Sequence, residues 1–544
     1  MGRMVEKPRY GGIFIGCVDA PLAGFDEAYN HPSGLYATHL TLDELLVGDW
    51  ARGPSGTGEA SWLLRGVFLQ KLERGAIAES WEIPDNETLI YHIRRGVHWQ
   101  DKPPVNGREL NANDVVFTFN RLFSAPLSYL YTHYGKSFKS VEAPDKWTVV
   151  VKCVPGEVGV IFKYTSEFAS IVAPEVIEKY GDMREWQNVI GTGPFMLTDY
   201  VPGSSVTLER NPNYWDVDPL HPENQLPYLD GVTWLVIPDA STRMASLRTH
   251  KTDWQQFVTW EEAASLQKTN PELKYIRWLQ AAHLNVIYGR VDKPELPFKD
   301  IRVRRALAMA IDNEAIKRDY YGGNAELFST PVAPYPEIMD MFTPLEEQSE
   351  IVQEYYGYHP EKAKQLLAEA GYPDGFKTEI VCTSPKVDTL SIIKAYWADI
   401  GVDLKLDVKE SAVFRSIAVG KTHKEMIFYA MATVAPHAYC SHQPGGIHNY
   451  AMINDPRCNE AWDVVRANVV VNDEKANQAL KEVFPYILDQ CWHIETPSPY
   501  LYIFWQPWVK GYSGAWTVGY NEPYAFPTWI WYDQDLKEEM TGKR

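Results

Sequence analysis

Four possible metal ligands crowd one short stretch, His437, Cys440, His442 and His448. Imidazole and thiolate are the donors that zinc, copper and nickel prefer. Their spacing matches no common metal motif, and the same imidazoles can hydrogen-bond the hydroxyls of a neutral ligand, so loop or neutral-ligand contacts are the favoured reading and metal ligation the alternative. A second feature, Gly53-Pro54-Ser55-Gly56-Thr57-Gly58, has the glycines of a phosphate cradle but lacks the Lys-Ser/Thr ending, which makes it a structural turn. The chain has no H-E-x-x-H, no G-x-S-x-G and no Walker loop. These absences leave a secreted hydrolase as a distant reading of the chain.

Aromatic residues make up 13% of the chain, with 19 Trp and 32 Tyr. Most must fill a core, and a minority can line a cleft and stack on a flat or extended ligand. Trp254, Trp260, Trp505 and Trp508 are the candidates for stacking, although Ile503 to Trp508 also reads as plain core.

The elements that would position these residues are mixed. Gly11 to Val18 reads as a short buried strand, and Leu89, Tyr91 and Ile93 alternate as a strand does. Asn111 and Asp114 form an N-cap pair ahead of a helical face of Val115, Val116, Phe119 and Leu122. Phe195 to Thr198, a Pro202-Gly203 turn and Val206 to Arg210 predict a hairpin. Val303, Leu307 and Ile311 have helical spacing, and the basic residues between them read as a solvated face. Pro360 starts and Gly371 stops a further helix. Thr378 to Cys382, Ile392 to Ile400 and Val402 to Val408 then read as β-α-β, which gives an α/β fold.

At 544 residues the chain exceeds one hydrophobic core and divides into two or three lobes. Its formal charge of −19 repels nucleic acid and anionic lipid. No stretch approaches the roughly 20 apolar residues of a spanning helix. The six cysteines are too sparse for a disulfide scaffold. The opening residues show no signal-peptide core, so an exported protein would need a leader outside this sequence.

Four blocks, in this order, resemble the solute-binding proteins of family 5, the oligopeptide, dipeptide and nickel binders of ABC importers. They are Tyr91 to Trp99 with Leu110 to Phe117, Gly191 to Phe195 with Glu209 to Trp215, Val303 to Asp312, and Lys364 to Tyr372. The resemblance implies a two-lobed periplasmic-binding-protein fold, type II and cluster C, with an extra small domain inserted in the first lobe. The implied boundaries are 10–49, 188–287 and 498–544 for the first lobe, 50–187 for the insertion and 288–497 for the second lobe.

It also implies capture of an oligopeptide-like ligand by hinge closure, with no catalysis and no cofactor. The implied partners are membrane permease subunits, the state a monomer, and the place periplasmic or extracellular, with a lipid anchor possible. Thr192, Arg210 and Trp215 are expected to be scaffold. The expected ligand contacts are Phe25, Tyr29, Trp254, Trp260, Asn285, Tyr288, Met431, His437, Tyr439, His442 and Trp505. One departure bears on the cargo. Peptide binders of the family place an acidic sequence against the ligand's ammonium group, whereas Ala430 to Pro444 holds no carboxylate. A buried ammonium without a counter-charge is costly, so an oligosaccharide or a small metal or organic chelate remains open beside a peptide. A second departure is His250, where the family usually has Gly; a left-handed backbone there would carry a local cost.

Overall fold

The strand expected at the start of the chain, Ile13–Val18, lies in the middle of a sheet. It runs parallel to Gly231–Val236 on one side and Trp254–Val258 on the other, with the hairpin Ser205–Arg210 and Phe195–Val201 beyond the first. These are the relations found in a computed structural model of the protein, which describes residues 7–31, 35–64, 69–280, 284–431, 439, 441–520 and 522–542. The central strand is tied down by side chains as well as its ladder. Asp253 is buried and accepts the Ile15 amide at 2.7 Å and the Trp508 indole N–H at 2.9 Å. Trp234 meets Phe14 edge-on at 5.5 Å and Trp254 at 5.9 Å. Gly16 is required beneath this cluster, because a Cβ there would lie 2.3 Å from the Trp234 ring.

The chain divides into two compact units. The first comprises Met1–Trp278, Ala467–Val471 and Leu501–Arg544, and the second Leu279–Arg466 and Asn472–Tyr500. The first also holds a four-stranded antiparallel sheet, ordered Ala78–Asp85, Thr88–Ile93, Thr148–Cys153, Phe138–Asp145. Against it packs the helix Ala112–Leu122, capped as its sequence predicts. Asn111 Oδ1 accepts the Asn113 amide at 3.0 Å, and Asp114 returns a bond to the Asn111 amide at 2.9 Å. Asp114 also meets Arg108, which reaches on to Glu175.

The recognisable blocks are scaffold, as expected. Thr192 and the Trp215 indole both donate to the buried Asp43, at 2.8 and 3.0 Å, while Arg94 lies 4.7 Å over the Trp215 ring. Gly191 is fixed by crowding, since a Cβ there would sit 1.8 Å from the Thr41 carbonyl oxygen. Arg210 donates to the carbonyls of Leu229 and Tyr228 and to Asp230. His250 does adopt the left-handed backbone, φ +58°, with its ring 5.4 Å from Trp508.

The second unit is built on five strands in the order Val402–Lys409, Phe376–Thr383, Met426–Met431, Leu284–Gly289, His493–Glu495. The first three are parallel, and the helix Val387–Ala398 connects the first two in the predicted β-α-β unit. One reading of the sequence needs correction. The basic residues of the helix Ile301–Met309 are not uniformly solvated. Arg302 is exposed, but Arg304 is 5% exposed and donates to the carbonyls of Phe298, Lys299, Gln490 and Cys491. It closes the end of the helix Asp473–Gln490, whose last carbonyls have no partner within the helix. Burial holds its guanidinium down to about 10, still charged at neutral pH.

Arg304→Met leaves four carbonyl groups without this donor and is expected to cost at least about 3 kcal/mol in urea unfolding, whereas the exposed Arg302→Met should stay within about 1 kcal/mol. Equal effects would remove the capping account.

Candidate functional site

Open sheets with parallel strands gather ligands at the strands' carboxyl ends, where loops to the next helix leave room. In the second unit this edge carries a cavity of about 350 Å³. Thr383 ends one parallel strand and Lys386 follows it in the short helix Ser384–Lys386. Ser411, Phe414 and Arg415 come from the helix Ser411–Gly420, which follows the next strand. Phe428, Tyr429 and Ala430 lie near the end of the third, and Leu284 and Asn285 begin the antiparallel neighbour.

The electrostatics of this cavity are one-signed. Lys386 Nζ donates to Asn285 Oδ1 at 2.6 Å and lies 6.0 Å from the Phe428 ring centroid. Arg415 is exposed and contributes a second positive charge. No carboxylate lines the cavity, and among the described residues none is within ion-pairing distance of either group. Burial alone pushes the Lys386 ammonium below the ordinary lysine range, since no neighbouring charge offsets it. An ammonium has three donors, and a neutral amide oxygen satisfies one. The arrangement suits an anionic oxygen flanked by the faces and edges of Phe414, Phe428 and Tyr429.

Asn285 is itself fixed from both directions. Its amide donates to Ser498 Oγ at 3.1 Å, and its carbonyl accepts from the Thr496 amide and hydroxyl, both at 3.1 Å. Across the ladder it faces Ala430. The acceptor that holds Lys386 is thereby pinned by a segment more than 200 residues away in sequence.

Of the expected contact residues, Asn285 lines this cavity. Met431 is buried at the end of its strand, and Tyr288 is 1% exposed, edge-on to Tyr450 at 5.3 Å. Tyr439 is buried and stacked on Trp462 at 5.6 Å, and His442 lies 5.5 Å from His493. In the first unit, Phe25 is buried against Tyr200. It sits in a loop anchored by Asp26, whose carboxylate takes a two-pronged bond from Arg121 at 2.8 and 2.6 Å. Tyr29 is exposed beneath the Arg184 guanidinium. Trp254 is wholly buried and donates to Tyr512 Oη at 2.7 Å, Trp505 is buried edge-on to the same tyrosine, and Trp260 packs on the core of Leu247, Val258 and Leu266.

His437 and Cys440 lie outside the described residues. His448 is half-buried beside the Lys421 cation; desolvation and that charge together hold its imidazole down to about 4. Among the described residues no three His, Cys, Asp or Glu side chains are grouped as ligands of a metal would be. Sequence reasoning missed Lys386 and Arg415. The signal was available, because the β-α-β unit around Thr378 to Val408 was legible and its carboxyl edge falls at these residues.

Residues 74–441 match the bacterial extracellular solute-binding proteins, family 5 Middle. The chain belongs to the family 5 bacterial extracellular solute-binding proteins. It is similar to the heme-binding protein A of Haemophilus influenzae, 30% identical over 367 residues that make up 63% of each chain. It is similar also to the glutathione-binding protein GsiB of Salmonella choleraesuis, 27% identical over 358 residues, 65% of this chain and 64% of the other. These matches span slightly less than two thirds of the relatives' length. The periplasmic binding protein DppA of Helicobacter pylori, solved in complex with the peptide STSA, matches with a TM-score of 0.73 at 23% identity, covering 96% of this chain and 99% of that one. That likeness extends the periplasmic-binding-protein fold over nearly the whole chain. The family consists of binding proteins and not of enzymes. Among the described residues no helix is long and apolar enough to cross a membrane.

Removing the Asn285 amide oxygen should loosen Lys386 without removing its charge. Asn285→Ala is expected to weaken a carboxylate ligand about tenfold, roughly 1.4 kcal/mol, with unchanged circular dichroism. Unchanged affinity by calorimetry would separate Asn285 from the site.

Proposed function

We propose that the chain is the extracytoplasmic capture subunit of an ABC importer, and that its second unit receives the anionic group of a short peptide-like ligand. The observation that carries the ligand class is Lys386, a partly buried ammonium in a cavity without a carboxylate, held by one neutral oxygen. A buried charge recruits a counter-charge, and a ligand carboxylate supplies one with charge-assisted hydrogen bonds. The sign agrees with the carboxylate-free stretch Ala430 to Pro444, which disfavours capture of a peptide through its ammonium end.

Relatives named for glutathione and for heme support the choice of an anionic ligand, since both ligands carry carboxylates. Capture by closing of two lobes belongs to the same proposal, as do a monomeric state, membrane permease subunits as partners, the insertion at 50–187 and the periplasmic or extracellular location. Trp254, Trp260 and Trp505 are not needed by this reading of the ligand's charged end.

Titration calorimetry with glutathione, a neutral-side-chain dipeptide amide and a neutral oligosaccharide tests it. The acidic peptide is expected to bind, and Lys386→Met to weaken it tenfold to a hundredfold, about 1.5–3 kcal/mol. Binding of the amide or the sugar alone, untouched by Lys386→Met, would overturn the ligand class. The sign of the pH effect follows from the ammonium: it is charged below its own pKa, which burial has lowered, so affinity should fall as pH rises, before the ordinary lysine range is reached. Lys386→Arg should move that fall upward.

A further inference from the structure

The first unit contains an unusual concentration of buried acid. Glu44 is 2% exposed, Glu73 8%, Glu167 wholly buried and Glu522 7%. Four segments bring them together. Glu73 begins the strand Glu73–Gly75, where it pairs with Gly48 of Leu46–Gly48, four residues beyond Glu44. Gly519 packs on Gly48 so closely that a Cβ on Gly48 would lie 2.2 Å from the Gly519 amide nitrogen. Glu167 accepts the Tyr520 amide at 2.6 Å, and the Glu522 carbonyl accepts the Val518 amide at 3.3 Å.

The surroundings do not neutralise four carboxylates. Arg74 is committed to Asp216, and Lys163, buried against the Tyr520 ring at 4.3 Å, faces Glu167. Asp43 and Asp49 add further acidic groups, Glu27 is another buried acid nearby, and His39 lines the same region. Glu44 borders a cavity of about 20 Å³, and neither of its carboxyl oxygens has a hydrogen-bond partner among the described residues. The Trp529 indole nitrogen, on the same cavity wall, is likewise buried without an acceptor. Metal is not the remedy in this geometry, because among the described residues no three acidic or histidine groups are arranged as its ligands.

We infer that the first unit folds around a cluster of buried acids, in which Glu44, Glu73, Glu167 and Glu522 together retain protons at neutral pH. Charge left unpaired at this burial would be far more costly than protonation. Burial, with mutual repulsion added, pushes Glu44, Glu73 and Glu522 well above the carboxyl range. Such groups bind more protons folded than unfolded, so their contribution is intact below the ordinary carboxyl range and is lost as pH rises from there toward the folded-state pKa. The cluster thereby makes the unit progressively less stable as pH rises above the ordinary carboxyl range. The inference does not depend on the ligand.

Urea unfolding of the full chain between pH 5 and pH 9 tests it, comparing the parent with Glu44→Gln and Glu73→Gln. The parent's unfolding constant is expected to rise with pH, by up to about tenfold per pH unit for each proton retained. Each Gln variant should lower that slope, because a neutral amide has no proton to lose. Glu27, pushed up to about 8, and Asp43, up to about 6, contribute to the parent's slope and are left intact in both variants. Slopes identical in parent and variants would overturn the cluster. Should a variant fail to fold, infrared spectroscopy of the parent decides: at pH 7 the carbonyl stretch of protonated carboxyl groups must carry the intensity of several groups, and a band no larger than the one Glu27 alone supplies would overturn the inference.

Discussion

The contact between Lys386 Nζ and Asn285 Oδ1 joins two strands at the carboxyl edge of the second unit's sheet, where its candidate site lies. Lys386 stands just beyond the parallel strand Phe376–Thr383, and Asn285 near the start of an antiparallel one two places away in the sheet. The two meet only because Met426–Met431 lies between, parallel to the first and antiparallel to the second, which brings the carboxyl ends of the parallel strands to the same edge as the beginning of Leu284–Gly289. A neutral oxygen steadies the ammonium without neutralising it. The charge stays available for something that arrives from solution.

Buried charge is managed differently wherever the chain has only to hold its shape. Asp26 is paired with Arg121 and accepts two amides besides, so that the loop carrying Phe25 has a fixed course. Asp43 gathers donors from Thr192 and Trp215, which is why those blocks of sequence look like motifs without being a site. Arg304 spends its donors on carbonyls at a helix end. Each of these groups is matched in place by hydrogen bonds, as buried polar groups must be. Lys386 and the Glu44 cluster stand apart, the one matched only in part and the other relieved by protons.

Much of the fold was legible in sequence because its signals are local. The capping pair Asn111 and Asp114, the hairpin around Pro202-Gly203 and the helix opened by Pro360 each depend on residues a few positions apart, and each took the predicted form. The left-handed His250 was also visible, from the glycine that the family usually places there. The role of Arg304 was not, because its acceptors at Gln490 and Cys491 are nearly 190 residues away, and periodicity alone reads a basic residue on an amphipathic helix as solvated. The candidate site was legible by half. Asn285 was expected from its position near a chain crossing, while Lys386 was passed over, since a lone lysine after Ser384-Pro385 resembles any surface turn until the sheet shows which edge it occupies. Several large aromatics expected at a ligand turned out to have core partners, as Trp254 does with Tyr512 and Phe526.

The most direct test of the central claim, that this binding protein takes an anionic ligand through Lys386, is native mass spectrometry of the protein purified without denaturation, followed by release and identification of whatever is bound. The account predicts a small peptide-like molecule bearing a carboxylate, retained by the parent and lost from Lys386→Met. A neutral sugar or a purely cationic ligand, retained equally by both proteins, would contradict it.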